Sequence, residues 1–127
     1  EFTRILIMDD EDFLCEIFSD ILTEMGYTVK TASHGDEALQ LYTEAYNGNE
    51  PFDIVFLDLT IPAGKGGKIV ASEIRNGTIN PLVKIVACSG YSEDPVMTNP
   101  EKFGFDERLI NPFTYHQLTT LLESLVE

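Results

Sequence analysis

The sequence predicts an α/β fold: a three-layer, doubly wound parallel sheet of five strands with five helices. Along its 127 residues, short β-branched runs alternate with longer segments in which apolar residues recur at helical spacing. Runs such as Ile54 to Leu57 are continuously apolar, which is typical of strands buried on both faces of a parallel sheet. The length suits a single domain, residues 3–127, with residues 1–2 set aside as a candidate cloning remnant.

Five strands are expected, each where a β-branched run is bounded by polar or turn residues. They are Arg4 to Met8, Thr28 to Thr31, Asp53 to Leu57, Leu82 to Cys88, and Arg108 to Ile110. With right-handed crossovers, the default strand order is the flavodoxin-like 2-1-3-4-5. Ligands of such sheets bind beyond the carboxyl ends of the strands, so the residues at those ends decide the function.

Most helix boundaries are indicated by capping residues. Gly26 ends the first helix, and a capping box of Ser33 and Asp36 is expected to start the second. A glycine-rich loop with Pro62, Gly64, Gly66 and Gly67 leads into the third helix.

The last two helices differ in how clearly the sequence marks them. The fourth is expected to be short or kinked, because Pro95 suits a first turn but Pro100 breaks the segment. A capping box of Thr114 and Gln117 starts the last helix.

Charge and composition exclude several classes of function. The chain has 22 acidic and 8 basic residues, a net charge of -14 that repels nucleic-acid phosphates and anionic lipids. Neither nucleic-acid binding nor direct membrane contact is therefore expected, and no apolar stretch approaches the ~20 residues of a spanning helix. Cys15 and Cys88 lie in apolar periodic segments, which predicts free buried thiols and a cytoplasmic location.

Carboxylates follow two strands that are neighbours in the predicted order. Asp9 and Asp10 follow the first strand and Asp58 follows the third, so the three should lie close together. Either one carboxyl then has a raised pKa, or a hard cation such as Mg²⁺ lies among them. A carboxylate beside Mg²⁺ is able to attack phosphorus, and Asp58 is the best-placed nucleophile. Ser89, at the end of the fourth strand, offers a hydroxyl to a phosphoryl oxygen.

Four ordered segments resemble the receiver domain of two-component response regulators, and most of all the receivers of hybrid sensor histidine kinases. These are Ile5 to Glu11, Phe56 to Pro62, Cys88 to Ser92, and Asn111 to Phe113. The resemblance covers essentially the whole chain. It implies a phosphoacceptor module with self-catalysed phosphotransfer and dephosphorylation, and not a conventional enzyme.

The resemblance also implies roles for individual residues. Asp58 would accept the phosphoryl group from a phosphohistidine on a histidine kinase or phosphotransfer domain. Asp10 and the backbone carbonyl of Thr60 would bind Mg²⁺ directly, with Asp9 acting mainly through water. Ser89 would be the switch hydroxyl.

Two positions on the last strand depart from the family pattern. Asn111 stands where the family has a lysine, and Arg108 where it has an aromatic switch residue. A doubly charged phosphoryl group, Asp9, Asp10 and Mg²⁺ sum to about -2, which a lysine would reduce to about -1. We therefore expect Asp58 to be phosphorylated slowly or with weakened coupling. Lys65 or Arg108 could supply the lost charge, although a solvated loop lysine is the favoured interpretation of Lys65.

Two alternatives compete with this interpretation. A degenerate receiver would serve as a phosphorylation-independent docking or dimerisation module, and the departures at Arg108 and Asn111 support it. A phosphatase of the haloacid dehalogenase type would need a second aspartate two residues after Asp58, where the chain has Thr60. The sequence leaves open whether the domain forms a homodimer.

Overall fold

A computed structural model of the protein describes residues 3–61, 65–77 and 82–126, and the predicted loop positions Pro62 and Gly64 lie outside these ranges. Five strands form one parallel sheet in the order β2-β1-β3-β4-β5, which confirms the predicted fold class. They are β1 (Arg4–Met8), β2 (Thr28–Ala32), β3 (Ile54–Asp58), β4 (Lys84–Ser89) and β5 (Glu107–Ile110).

Five α-helices connect and flank these strands. They are α1 (Asp12–Glu24), α2 (Gly35–Asn47), α3 (Gly67–Gly77), α4 (Pro95–Thr98) and α5 (Tyr115–Leu125). As expected from its two prolines, α4 has only 4 residues, and a 3-10 helix (Pro100–Phe103) follows it. None of the helices in the described ranges has the length and apolar character needed to cross a bilayer.

Alternation along the strands divides the interior into two cores. Ile5 and Ile7 of β1 pack on the side of α1 and α5, whereas Leu6 and Met8 pack on the side of α2, α3 and α4. All five residues of β3 are buried, as expected for a central parallel strand. This packing on both faces fixes where the ends of β1 and β3 lie.

One of the two predicted capping boxes is wrong and the other is confirmed. The N-cap of α2 is His34, whose Nδ1 accepts a hydrogen bond from the backbone N of Glu37, so Asp36 lies inside the first turn. Ser33 instead donates its backbone N to the Glu37 carboxylate at 2.8 Å. The box of Thr114 and Gln117 forms as predicted.

The remaining boundary predictions shift by a residue or two. The structure adds Ala32 to β2, starts β5 at Glu107, and moves β3 and β4 toward their carboxyl ends, so that Asp58 and Ser89 belong to the strands themselves. Gly26 follows the C-cap of α1 with a φ of 103°. This is the left-handed conformation that a glycine adopts at the end of a helix, as the sequence predicted.

Candidate functional site

The ends of β1 and β3 bring three carboxylates to one edge of the sheet. Met8 pairs with Leu57 in the parallel register, so the next residues of each strand, Asp9 and Asp58, emerge side by side. One carboxylate oxygen from each of Asp9, Asp10 and Asp58 lies within 4.8 Å of the others. Asp58 is 6% exposed, Asp9 is half-buried and Asp10 is exposed. The arrangement predicted for these residues is therefore present.

Asp9 is the member of the cluster whose titration is most disturbed. Partial burial raises its pKa from 3.8 to about 6, and the charges of Asp58 and Asp10 act in the same direction. A hydrogen bond from the backbone N of Glu11 to Asp9 Oδ1, at 2.9 Å, opposes the increase. Burial, with a smaller contribution from repulsion by Asp58 and Asp10, thus raises the pKa of one carboxyl group, which is one of the two alternatives that the sequence predicted.

Asp58 is held by its neighbour Thr60. The backbone N of Thr60 donates to Asp58 Oδ1 at 3.0 Å, and the Thr60 hydroxyl donates to the same oxygen at 2.8 Å. The Thr60 side chain is exposed, so it closes the outer side of an otherwise buried carboxylate. The sequence predicted a role for the Thr60 carbonyl alone, and no periodicity or spacing signal pointed to its hydroxyl.

Glycines permit the chain after β3 to fold back closely. A Cβ built on Gly67, the first residue of α3, would lie 2.7 Å from the carbonyl oxygen of Asp58. A Cβ on Gly35 would lie 2.4 Å from Cβ of Lys65. Gly67 was predicted to lie in the loop before the third helix, whereas it is the first residue of α3 and allows this helix to start directly against the end of β3.

Ser89 and Asn111 occupy the opposite side of the same edge. Ser89 is 1% exposed, and its hydroxyl oxygen accepts a hydrogen bond from the backbone N of Tyr91 at 2.9 Å. The backbone N of Asn111 donates to the Ser89 carbonyl at 2.9 Å, and the Asn111–Pro112 peptide is cis. Half-buried Asn111 lines a cavity of about 390 Å³ together with Asp9.

Neither candidate replacement for the missing lysine lies at the acidic cluster. Lys65 pairs with Asp36 at 3.4 Å and with Glu73 at 3.1 Å, and Arg108 donates Nη1 to the carbonyl of Met97 at 3.0 Å. Within residues 3–61, 65–77 and 82–126, no basic side chain forms an ion pair with the cluster. The suggestion that Lys65 or Arg108 supplies the lost charge is therefore not supported in this conformation.

The two cysteines are free and buried, as predicted. Burial raises the pKa of Cys15 to about 11, and it raises the pKa of Cys88 strongly, with Asp58 and Asp9 adding to the effect. Both thiols are therefore protonated at neutral pH and take no nucleophilic part in the site.

The sequence profile of the response regulator receiver domain matches residues 5–123. The chain belongs to this family, the receiver domains of two-component systems, as its four motifs indicated. Chemotaxis protein CheY of Thermotoga maritima is 32% identical over 111 residues, which cover 87% of this chain and 86% of that protein.

Two longer proteins show similar identity. The sensor kinase CckA of Brucella abortus is 35% identical over 126 residues, or 97% of this chain, and the probable transcriptional regulator ycf27 of Cyanidium caldarium is 31% identical over 123 residues. The chain spans only 12% of CckA and 46% of ycf27.

Solved structures agree with the fold. Response regulator TrrA of Thermotoga maritima, in complex with Mg²⁺ and BeF, superposes with a TM-score of 0.81 at 31% identity, covering 98% of this chain and 99% of that one. Chemotaxis response regulator CheY4 of Vibrio cholerae gives a TM-score of 0.84 over the same shares at 22% identity, a likeness in fold alone.

Proposed function

We propose that this domain is a Mg²⁺-dependent phosphoacceptor in which Asp58 receives a phosphoryl group from a phosphohistidine. The observation that carries the proposal is the cluster itself, with oxygens of Asp9, Asp10 and Asp58 within 4.8 Å of one another at the carboxyl ends of neighbouring strands. A buried carboxylate beside two others has little purpose in stability, since like charges at this distance repel. It is well suited to hold a cation beside a nucleophile.

The donor set fits Mg²⁺. All three side chains offer hard oxygen ligands, and exposed Asp10 leaves room for the water ligands that Mg²⁺ retains. A divalent cation would also offset the repulsion from Asp58 and Asp10, which adds to the effect of burial on the pKa of Asp9. We assign Asp10 and the carbonyl of Thr60 as direct ligands and Asp9 as a ligand through water. When bound, Mg²⁺ would neutralise charge on the transferring phosphoryl group.

The chemistry requires one bond exchange. A carboxylate oxygen of Asp58 forms a bond to phosphorus as the phosphorus–nitrogen bond of the donor breaks, and the departing imidazole nitrogen keeps the electron pair. The Ser89 hydroxyl, whose oxygen accepts from Tyr91 in this conformation, would turn to donate to a phosphoryl oxygen. That movement is the step we assign to switching.

Asn111 is the reason to expect slow or poorly coupled phosphorylation. A neutral amide leaves the phosphorylated site with about one negative charge more than a lysine would. A unit charge pair at ~4 Å is worth ~4 kcal/mol at an effective dielectric near 20, before desolvation reduces it. The intact acidic cluster supports transfer, whereas the missing cation weakens it.

A phosphohistidine donor must bring its ring to Asp58, so it must dock on the rim around the acidic cluster. The apolar surface there lies on α1, where Leu14 is 45% exposed and Ile17 is 42% exposed beside the cavity that Asp9 and Asn111 line. We propose that a histidine kinase or phosphotransfer domain docks on this surface. The 35% identity to part of a sensor kinase favours a place within the cytoplasmic part of a hybrid histidine kinase.

The direct test is labelling by acetyl phosphate with Mg²⁺, followed by intact-mass measurement. We expect the wild-type protein to gain the mass of one phosphoryl group, slowly and incompletely. Asp58→Asn is the matched control and should gain none, and EDTA should stop labelling of the wild type. Absence of label on the wild type, or equal labelling of Asp58→Asn, would contradict the assignment.

A second candidate function is a receiver that docks without being phosphorylated. It is favoured by Arg108, whose guanidinium is bonded to the Met97 carbonyl in place of a mobile aromatic side chain. In that case Asp58→Ala should leave signalling by the full-length protein unchanged. Loss of signalling by Asp58→Ala in the presence of normal folding would exclude the scaffold.

A further inference from the structure

Thr60 makes the two oxygens of the Asp58 carboxylate different from each other. Its backbone N and its hydroxyl both donate to Oδ1, at 3.0 and 2.8 Å. Among the residues that the structure describes, none donates a hydrogen bond to Oδ2. One oxygen is therefore anchored by two donors of a single residue, while the other accepts no hydrogen bond from residues 3–61, 65–77 or 82–126.

We infer that Thr60 is a positioning residue for phosphoryl transfer: its hydroxyl holds Oδ1 of Asp58, so that Oδ2 is the oxygen that attacks phosphorus. The inference rests on the proposed function of Asp58. With acetyl phosphate as donor, the Oδ2–phosphorus bond forms as the phosphorus–oxygen bond of the donor breaks, and acetate leaves with the electron pair. Oδ1 becomes the carbonyl oxygen of the acyl phosphate and remains an acceptor for Thr60.

A single donor would hold this carboxylate poorly. The terminal torsion of aspartate is broad and roughly twofold, so its two oxygens exchange places easily. A second donor on the same oxygen, from the Thr60 side chain, restricts that rotation and keeps Oδ2 in one place. Displacement at phosphorus depends on the alignment of the reacting atoms, so even a shift of less than a bond length in the position of the attacking oxygen slows the reaction.

The arrangement matters more in this chain because position 111 is an asparagine. In the described residues no lysine or arginine pairs with Asp58. The backbone N and the hydroxyl of Thr60 are therefore the groups that orient its carboxylate. Asn111 makes a hydrogen bond through its backbone N to Ser89, and its side chain makes none to the described part of the chain. In this conformation, orientation of the Asp58 carboxylate thus depends on the backbone N and the neutral hydroxyl of Thr60.

Removal of the Thr60 hydroxyl would have two effects of opposite sign on the rate of phosphoryl transfer, which makes the inference testable. A hydrogen bond to a carboxylate withdraws charge and lowers its nucleophilicity, so removal of the hydroxyl would accelerate transfer if charge were decisive. Because the Thr60 hydroxyl bonds Oδ1 and leaves the attacking Oδ2 alone, we expect the loss of orientation to outweigh the gain in nucleophilicity.

The experiment compares wild type, Thr60→Val and Thr60→Ser. Valine is nearly isosteric and removes only the hydroxyl, while serine keeps it. At saturating acetyl phosphate with Mg²⁺, we expect the phosphorylation rate of Thr60→Val to fall about tenfold with the half-saturating concentration unchanged. Thr60→Ser should stay within about twofold of wild type. Both variants keep the backbone carbonyl, so calorimetric Mg²⁺ affinity should not change.

Each outcome decides the matter. A rate for Thr60→Val equal to or above wild type overturns the inference, and so does a rate for Thr60→Ser as low as that of Thr60→Val. Absence of label on the wild type overturns the proposed function as well as the inference. The Thr60 side chain is exposed, so both variants should melt as wild type does; if valine disturbs the melt, Thr60→Ala gives the same comparison.

Discussion

The two sides of the rim differ in how their side chains are held. On the acidic side, formed by Asp9, Asp10 and Asp58, the chain is packed so closely that a Cβ on Gly67 would collide with the Asp58 carbonyl. On the β5 side, formed by Ser89, Asn111 and Arg108, the contacts are hydrogen bonds of the backbone and a hydrogen bond from the guanidinium of Arg108 to the four-residue helix α4. The acidic side keeps the residues expected of the family, whereas the β5 side keeps Ser89 but departs from the family at Asn111 and Arg108.

The comparison indicates that the proposed nucleophile and the proposed switch residues lie in differently held parts of this domain. The acidic side depends on β1 and β3, which are buried on both faces, so its geometry is determined by the core. Ser89 on the β5 side is buried too, but β5 itself is the edge strand of the sheet, where Ile110 and Arg108 are exposed, so these two positions are free to vary without loss of the fold. We expect changes on the two sides to have different consequences.

The largest difference in stability should come from replacing one glycine on each side by alanine. Gly67→Ala places a Cβ at 2.7 Å from the Asp58 carbonyl oxygen, which forces a backbone shift, and we expect a loss of about 1–3 kcal/mol. Gly90→Ala places a Cβ at 3.6 Å from the Asn111 carbonyl oxygen, an ordinary contact, and should be nearly neutral. Urea unfolding of both variants measures the difference. Equal destabilisation would mean that the two sides are packed alike.

A lysine at position 111, on the β5 side, should increase the rate at which Asp58 on the acidic side is phosphorylated. Asn111→Lys adds a positive charge beside the phosphorylated site, and we expect phosphorylation by acetyl phosphate to become about tenfold faster, equivalent to about 1.4 kcal/mol. Asn76→Lys, which adds the same charge at the exposed end of α3, is the control and should not change the rate. No acceleration by Asn111→Lys would show that the missing charge does not limit transfer.

The third effect concerns the pH dependence of the acidic side. Because the folded-state pKa of Asp9 is about 6, above its ordinary 3.8, the folded protein binds the proton more tightly than the unfolded chain does. This contribution stabilises the metal-free fold below the ordinary pKa and is lost as pH rises through about 6.

The test is Asp9→Asn in the absence of metal, which should melt close to wild type at about pH 4 and on the order of 4 °C higher at about pH 7.5, with the gap opening as pH rises toward 6. The exposed Asp12→Asn is the control for general loss of charge. A gap between Asp9→Asn and wild type that does not widen with pH would contradict this account.

The smallest effect should be local to the β5 side. Arg108→Ala removes the hydrogen bond to the Met97 carbonyl, and we expect amide exchange in α4 and the following 3-10 helix to rise roughly threefold to tenfold. Exchange in α2, which Arg108 does not contact, should stay the same. If exchange in α4 is unchanged, Arg108 does not hold this short helix to β5.

The sequence by itself determined the fold class, the strand order and the gathering of Asp9, Asp10 and Asp58. These follow from local periodicity and from the rule that parallel strands end at one edge, which need no knowledge of individual contacts. It also located the departures at Arg108 and Asn111, because Asn111 begins a recognisable motif and Arg108 lies three positions before it. The capping residue of α2 was missed because Glu37 bonds both His34 and Ser33, a choice between neighbours that spacing does not resolve.

Only the tertiary structure decided which partners these side chains take. Lys65 pairs with Asp36 and Glu73 because α2 and α3 come together around it, and Arg108 reaches Met97 because β5 lies beside α4. The hydroxyl of Thr60 meets Asp58 because the chain turns sharply after β3. Hydrogen bonds and ion pairs depend on atomic positions to within a fraction of an ångström, and those positions are fixed only once the core has packed.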